Sequence, residues 1–364
     1  MQISKIVITG GPCAGKSSAT SRIGREFAKL GYTVLFVPET ATELITGGVA
    51  PWTCGTVKEY QKCQLELQLK KESIFEEAAG TMPNDKILIV CDRGALDNKA
   101  YMSLDDFYWM VNELGKNEVE LRDSYDAVFH LVTAAKSGGK FYTTENNSAR
   151  TETVEEACAL DDRLISAWTG HPHFRVIENC DDFEQKMNRL IEEIASFLKA
   201  PAIETVEHRY LIEYPDTEWL ESIPNCERVE IIQTYLKSDG ITETRLRQRG
   251  SKGNYVYFKN VKKIGSEKSE TETRISKDEY LELLMEADTS KRQIRKNRYC
   301  LTYGTQYFEI DVYPFWKDKA LMKIELNPSN SVQIPDEIKV INEVSNDPSY
   351  KNAYLATVGI NNDL

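Results

Sequence analysis

Residues 5–18 read Lys5-Ile6-Val7-Ile8-Thr9-Gly10-Gly11-Pro12-Cys13-Ala14-Gly15-Lys16-Ser17-Ser18, and this stretch decides the fold of the first half of the chain. A short apolar strand runs straight into GxxxxGK[ST], matched from Gly10 to Ser17 without a gap. Glycines allow successive backbone N–H groups to turn inward around a phosphate, and the N-terminus of the following helix adds a favourable dipole. In that pattern Lys16 reaches the β- and γ-phosphates, and the Ser17 hydroxyl ligates Mg²⁺. The expected nucleotide site is therefore Gly10, Gly11, Pro12, Cys13, Ala14, Gly15, Lys16, Ser17 and Ser18. The bland alternative, a glycine-rich turn that happens to hold a lysine, does not account for the strand before it and the helix after it.

Outward from this loop, strands and helices alternate to about residue 198. Apolar runs at 33–37, 87–91, 127–132 and 174–177 read as further strands. Helical patterns fall at 17–30 and 57–79, the second opened by Thr56 with Glu59 three residues on, and another helix follows Thr153 with Glu156. This alternation predicts an α/β domain, a parallel sheet with helices on both faces whose ligand lies beyond the carboxyl ends of the strands. Asp92 stands at the end of the 87–91 run, where a second Mg²⁺-directed carboxylate belongs. Arg93 beside it can hold a substrate or a γ-phosphate, and Glu39, ending the second strand, can accept a proton from an attacking hydroxyl. A strand-end carboxylate can equally be a helix cap or a solvated group. The polar stretch 136–150 reads either as a lid bringing Lys140 and Arg150 over the phosphates or as an ordinary surface loop. Asn98-Lys99 lacks the aspartate of a guanine-specifying NKxD, and His171-Pro172-His173, without further ligands, reads as a turn.

Composition bounds the rest. The chain has 364 residues, 41% hydrophobic and 28% charged, which suits two globular domains rather than a disordered chain. No apolar run is long enough for a transmembrane helix, the N-terminus resembles neither a signal nor a transit peptide, and eight scattered cysteines without CxxC fit a reducing cytoplasm. Residues 1–200 hold 22 Lys/Arg against 30 Asp/Glu, and residues 201–364 hold 23 against 27, for a net −12. That balance argues against nonspecific binding to nucleic acid. Yet residues 245–298 carry 15 basic and 8 acidic side chains.

After a linker at 199–203 the pattern changes to period-2 alternation. Strands are expected at 207–214, 228–236, 242–249, 255–261, 267–275, 299–303, 308–313 and 321–326, with helical patterns at 276–287 and 337–344. Eight antiparallel strands can close into a barrel. Charged residues fall two apart, as in Arg245/Arg247/Arg249, Glu270/Glu272, Lys296/Arg298, Glu309/Asp311 and Lys323/Glu325, so they share faces. Such a face either meets solvent or lines an interior that holds a polyanion.

Two resemblances sharpen these expectations. GGPCAGKSS, CDRGALDNKAY and SARTETVEEACALDDRLISAWTGHPHFRVIEN together resemble the P-loop ATPase family that includes nicotinamide-riboside kinases and the TRPL-translocation-defect proteins, over residues 1–198. That resemblance implies Glu39 as base, Asp92-Arg93 at the third strand and Arg150 as the lid arginine, with Mg²⁺ or Mn²⁺ and ATP or GTP. EHRYLI, ERVEIIQTYL, RLRQR, KSETETRIS, RKNRY, FEIDVY, KIEL and PDEIKVINEVSNDPSYKNAYLA resemble the CYTH, or triphosphate tunnel, domain over about residues 204–356, within a second domain expected at 204–360. This second resemblance implies an eight-stranded tunnel whose phosphate grips are Arg209, Arg245, Arg247, Lys259, Lys263, Lys296 and Arg298. Its metal-side carboxylates would be Glu207, Glu270, Glu272, Asp311 and Glu325. The family's opening ExExK reads Thr205-x-Glu207-x-Arg209 here, and its late ExE reads Lys323-x-Glu325. Losing two carboxylates favours anion binding over hydrolysis. The two-domain order is that of the TRPL-translocation-defect proteins, which implies a nucleotide-regulated trafficking factor with a phosphoinositide head group, polyphosphate or nucleoside triphosphate as ligand. It also allows peripheral contact with a membrane. The competing reading is a small-molecule kinase joined to a metal-dependent triphosphatase.

Overall fold

The computed structural model describes residues 2–137, 153–180, 182–200, 206–238, 240–263, 270–326 and 331–357. It divides into two compact units, Met1–Glu204 with Gly304–Gln306, and Thr205–Tyr303 with Tyr307–Leu364.

The first unit runs β1 (Gln2–Gly10), α1 (Lys16–Lys29), β2 (Thr33–Val37), α2 (Thr40–Thr46), α3 (Val57–Ala79) and β3 (Lys86–Asp92). It continues with α4 (Leu104–Glu113), α5 (Glu118–Arg122), β4 (Ala127–Leu131), α6 (Val154–Trp168), β5 (Phe174–Ile177) and α7 (Phe183–Phe197). The five strands form a parallel sheet in the order β2-β3-β1-β4-β5. Central β1 is buried from Ser4 onward, which is why it reads as a continuous apolar run rather than an alternating one. Ile23 and Phe27 of α1 and Leu190 and Ile194 of α7 pack on Ile6, Ile8, Leu88, Phe129 and Leu131 of the sheet. The caps match the sequence signals: Thr56 accepts from the Glu59 N–H, and Thr153 with Glu156 forms a complete capping box. Because all strands run the same way, Gly10, Val37, Asp92 and Leu131 end at one edge of the sheet, with Glu39 two residues beyond β2. That shared edge gathers the site.

The second unit runs β6 (Val206–Glu213), α8 (Thr217–Ser222), β7 (Cys226–Tyr235), β8 (Thr242–Ser251), β9 (Asn254–Lys263) and β10 (Glu270–Ile275). Then come α9 (Lys277–Leu283), β11 (Ile294–Tyr303), β12 (Gln306–Val312), β13 (Lys319–Leu326), β14 (Val340–Glu343) and α10 (Asn352–Leu355). Its sheet has nine strands in the order β10-β9-β8-β7-β11-β12-β13-β6-β14, and each pair with a described register is antiparallel. One expectation is corrected here. Residues 337–344 do not form a helix: Val340–Glu343 is an edge strand on β6, with a bulge between Val340 and Asn342. Two adjacent β-branched residues, Val340 and Ile341, gain more from the ladder offered by β6 than from one isolated helical turn.

The apolar face of this sheet buries Tyr299, Leu301, Phe308, Ile310, Met322 and Ile324 together with Leu220 of α8. A second cluster joins Leu211, Tyr235, Ile294, Tyr313 and Leu321 to Val344, Leu355 and Ala356 of the C-terminal segment. Register places that second cluster on the same face as the charged residues, so apolar side chains fill one part of it and leave the other part to charge. No described helix is long and apolar enough to cross a membrane, and none of the eight cysteines is in a disulfide.

Candidate functional site

At the end of β1 the backbone must approach its neighbours closely. A Cβ on Gly10 would lie 2.2 Å from the Leu131 carbonyl oxygen, and one on Gly11 would lie 2.8 Å from Asp161 Oδ1. Cys13 and Gly15 both take left-handed φ, of 56° and 96°, the backbone habit of loops whose N–H groups converge on an anion. Lys16 follows at the start of α1, its Nζ donating to the Gly10 carbonyl at 3.2 Å. Burial lowers its pKa to about 8, with Arg93 adding to the effect against the opposing pull of Asp92, Glu39 and Asp97. The Ser17 and Ser18 side chains are exposed beside it.

Asp92 and Arg93 lie across from this lysine. Asp92 Oδ1 is buried and has no hydrogen-bond partner among the described residues. Burial raises the pKa of its carboxyl and Glu39 adds to this, against Lys16 and Arg93. An unpaired buried carboxylate oxygen next to a phosphate loop fits the donor set of Mg²⁺, and Ser17 would supply the hydroxyl ligand. Arg93 has a left-handed φ of 71°, a conformation that costs a non-glycine residue about 1–2 kcal/mol and persists only where neighbours over-determine it. Here they do so: Arg93 Nε donates to Glu39 Oε1 at 2.6 Å and Nη1 to Asp97 Oδ2 at 3.2 Å. Burial works to raise the Glu39 carboxyl, but Arg93, Lys16 and a hydrogen bond from Thr42 outweigh it and hold its pKa at about 2. Glu39 is thus a fixed anion. It can accept a hydrogen bond from a hydroxyl and orient it.

Several residues of this site carry no motif. Buried Asp97 accepts from Thr9 Oγ1 at 2.7 Å and from Trp168 Nε1 at 2.6 Å, as well as from Arg93. Asp161 Oδ1 accepts from the Gly11 N–H at 3.0 Å and the Thr133 N–H at 3.1 Å, and contacts His130 Nε2 at 3.0 Å. Burial opposes the charge on Asp161, yet His130 and Lys136 keep its carboxyl well below the usual range. From the other side, Lys186 Nζ donates to the carbonyls of Ala14 at 2.9 Å and Val132 at 2.6 Å. The loop is therefore held at Gly11 by an anion and at Ala14 by a cation. Their sequence signal was charge in an apolar row: Asp161 lies among Ala157, Leu160, Leu164 and Ile165, and Lys186 is followed by Met187 and Leu190, all buried. Arg150 and Lys140 lie outside the described residues. His171 is a buried turn histidine whose Nε2 is 2.9 Å from the Tyr125 carbonyl oxygen.

In the second unit, register shows which charges meet. Arg245 pairs with Asn260, Arg247 with Phe258 and Arg249 with Val256, so the even-numbered residues of β9 share the arginine face. Lys259 and Lys263 are opposite Leu246 and Thr242, which puts them on the other face. Both are corrected as candidate phosphate grips. An odd count along β9 cannot meet an odd count on β8 when the pairing sum is 505, as in Arg245 and Asn260. Glu207, Arg209, Glu309, Asp311, Lys323 and Glu325 do fall on a common face across β6, β13 and β12, and Lys296 and Arg298 reach it from β11.

On that face the carboxylates bind cations of the chain itself. Asp311 takes Lys296 at 2.5 Å and Arg298 at 2.7 Å, and Glu309 takes Arg298 at 2.6 Å. Glu207 takes Lys323 at 2.8 Å and Arg209 at 2.6 Å, while Glu270 and Glu272 each take an arginine at 2.7 Å. Among the described residues no group of three or more His, Cys, Asp or Glu could hold a metal ion. The five carboxylates expected as metal ligands, Glu207, Glu270, Glu272, Asp311 and Glu325, are thus not brought together as one metal centre. Burial would lower the Lys296 ammonium, and with Arg298 beside it this outweighs Asp311 and brings its pKa to about 8.

A family model described as AAA domain matches residues 5–186. No curated protein matches the chain. Among solved structures, the inorganic triphosphatase NE1496 is 27% identical over 43% of this chain and 95% of its own, with a TM-score of 0.32. A deoxyadenosine kinase from M. mycoides with bound dATP is 18% identical over 53% of this chain and 100% of its own, with a TM-score of 0.37. Likenesses at these TM-scores do not assign a function.

Proposed function

The chain belongs to the AAA-domain family through residues 5–186, and from that premise we propose that its P-loop unit binds ATP or GTP with Mg²⁺ while its second unit grips a phosphorylated anion. The observation that carries the first half is the buried Asp92 Oδ1, which lacks a partner among the described residues and lies within electrostatic reach of Lys16. Ser17 and Asp92 would hold the metal, which when bound neutralises charge on the β- and γ-phosphates. Lys16 contributes a cation to the same phosphates, and Arg93, fixed by Glu39 and Asp97, presents its guanidinium on the acceptor side. For the second half, support comes from Arg245, Arg247, Lys296 and Arg298 on one sheet face, which offer bidentate and point-charge donors suited to phosphate. A cytoplasmic location belongs to the same reading, in keeping with cysteines that form no disulfide. A nucleotide-regulated trafficking role, as in the TRPL-translocation-defect arrangement, and a phosphoinositide head group as the anion belong to this reading.

A second reading, small-molecule kinase, is favoured by one observation. Thr40 Oγ1, Tyr60 Oη and Gln64 Oε1 are buried without hydrogen-bond partners among the described residues, and Thr40 directly follows Glu39. Unpaired buried polar atoms cost about 1–3 kcal/mol each, and a polar acceptor molecule would satisfy them. A thermal-shift screen of ATP, GTP, tripolyphosphate and soluble phosphoinositide head groups, with and without Mg²⁺, tests the main reading, because a ligand of the native state raises the midpoint by mass action. No shift with any nucleotide would refute the first half. Glu39→Gln separates the two readings: a kinase loses transfer to a hydroxyl and keeps nucleotide binding.

A further inference from the structure

The turn that carries Arg93 is held from behind, by buried side chains that belong to no motif. Helix α3 buries Tyr60, Gln64, Gln68 and Glu72 at four-residue spacing, on a face where an apolar stripe is the ordinary choice. Polar groups so placed are costly unless paired. Glu72 pairs them through one oxygen. Its Oε1 accepts from Gln68 Nε2 at 3.0 Å and from Tyr125 Oη at 2.9 Å, while Lys5 Nζ lies 3.3 Å from its Oε2.

A carboxylate only accepts, so it sets the direction of both neighbours. Gln68 turns its NH₂ group toward Glu72, and the same Nε2 donates to the Arg93 carbonyl at 3.3 Å. Tyr125 gives its proton to Glu72, and its oxygen accepts from the Ala95 N–H at 2.9 Å. The carbonyl before Gly94 and the N–H after it are thus tied to a single charge. Gly94 between them is packed so closely that a Cβ would lie 2.6 Å from the Trp168 ring, and that ring meets Tyr125 edge-on at 5.6 Å.

Arg93, with its left-handed φ, needs such support. Its guanidinium partners Glu39 and Asp97 belong to the site itself, so a phosphate that draws the guanidinium away also removes part of their hold. Gln68 and Tyr125 are buried and tied to Glu72, and they keep their grip on the backbone when the guanidinium turns. Arg93 also acts electrostatically on Lys16, which places it in range of the same phosphates.

We propose that Gln68, Tyr125 and Glu72 are positioning residues for Arg93: by clamping the Arg93–Ala95 turn they aim its guanidinium at the terminal phosphate of a bound nucleoside triphosphate. The inference rests on the reading of the first unit as a nucleotide site in which Arg93 meets that phosphate. The network then governs the preference for triphosphate over diphosphate, not nucleotide affinity in general.

The test is isothermal titration of the full chain, in Mg²⁺, with the β,γ-imido analogue of ATP or GTP, whichever binds, and with the matching diphosphate. Heat that persists in Lys16→Ala is subtracted as binding elsewhere. Arg93→Ala should cut the ratio of triphosphate to diphosphate affinity about tenfold or more, as expected for one charge-assisted hydrogen bond. Tyr125→Phe, which removes one oxygen and keeps the ring against Trp168, should cut the ratio about threefold and leave diphosphate affinity unchanged. Gln68→Met should do the same, and Tyr125→Phe carries the test alone if that chain does not fold. In an Arg93→Ala chain neither substitution should lower the ratio further. A ratio lowered by Arg93→Ala but untouched by Tyr125→Phe would overturn the inference and leave the nucleotide reading intact. So would equal weakening of both nucleotides, or an effect that persists without Arg93, each the mark of a structural role. A ratio unmoved by Arg93→Ala removes Arg93 from the terminal phosphate and the inference with it. If neither nucleotide binds, the nucleotide reading itself falls.

Discussion

Lys16, Asp92 and Asp161 act on the same loop by different means, and their substitutions should therefore fail differently. Lys16→Ala removes the cation that meets the phosphates, so nucleotide binding should vanish in equilibrium titration; retained affinity would sink the phosphate-loop assignment. The ammonium is the binding form, and its pKa stands at about 8. Nucleotide affinity should therefore be steady below pH 7 and fall as pH rises through about 8, which fluorescence titration from pH 6.5 to 9.5 would show. Lys186, lowered to about 8 by burial, reinforces that dependence through its grip on Ala14. Asp92→Asn should abolish the Mg²⁺-dependent part of the affinity and spare the rest. Asp161→Asn leaves Lys136 and His130 facing a neutral amide and should cost about 3–5 kcal/mol, read as a shift in the denaturant midpoint.

Elements deliver these groups, and their ends govern how firmly. Helix α6 starts at the Thr153–Glu156 capping box and carries Asp161 two turns later to the Gly11 N–H. Thr153→Ala should cost about 1 kcal/mol, measured by denaturant unfolding, and a loss below a few tenths would show that tertiary packing alone holds this helix end. Caps, alternation and the apolar runs were legible in the sequence because they follow from local steric and hydrogen-bonding rules. Strand β14 was not legible, because four residues hold too little periodicity and only the open edge of β6 gives them partners. The same limit hid Lys259 and Lys263. Alternation tells which residues share a face of one strand, whereas register between strands tells whose face that is.

For the molecule as a whole, net charge and local charge point in opposite directions. The chain is acidic overall at −12, and on the second unit's charged face cations and carboxylates are largely paired with each other. Any polyanion must compete with those carboxylates, so its affinity should fall steeply with added salt; an affinity unchanged between 50 and 300 mM would count against an ionic site. The pairing also sets an acid limit. Burial works to raise the Glu309 carboxyl, but Arg298 and Lys323 hold it at about 2, and Asp311 is likewise held well below its usual range by Arg298 and Lys296. Groups whose pKa is lowered by folding contribute stability that is complete above their unfolded values, near 4, and that is lost as pH falls through about 2. Near-UV circular dichroism across pH 5 to 1.5 should show the second unit losing fixed packing in that window. By itself the sequence determined the phosphate loop, the parallel sheet that carries it, the second run of alternating strands and the basic stretch within it. These follow from backbone conformation and side-chain period, which act over a few residues. Tertiary structure alone decided that Asp161 and Lys186 hold the loop from both sides, that Glu39 is pinned as an anion by Arg93, and that Glu270 and Glu272 lie on arginines. Those facts depend on distances between residues up to 172 positions apart in the chain, and only the packing of sheet and helices sets such distances.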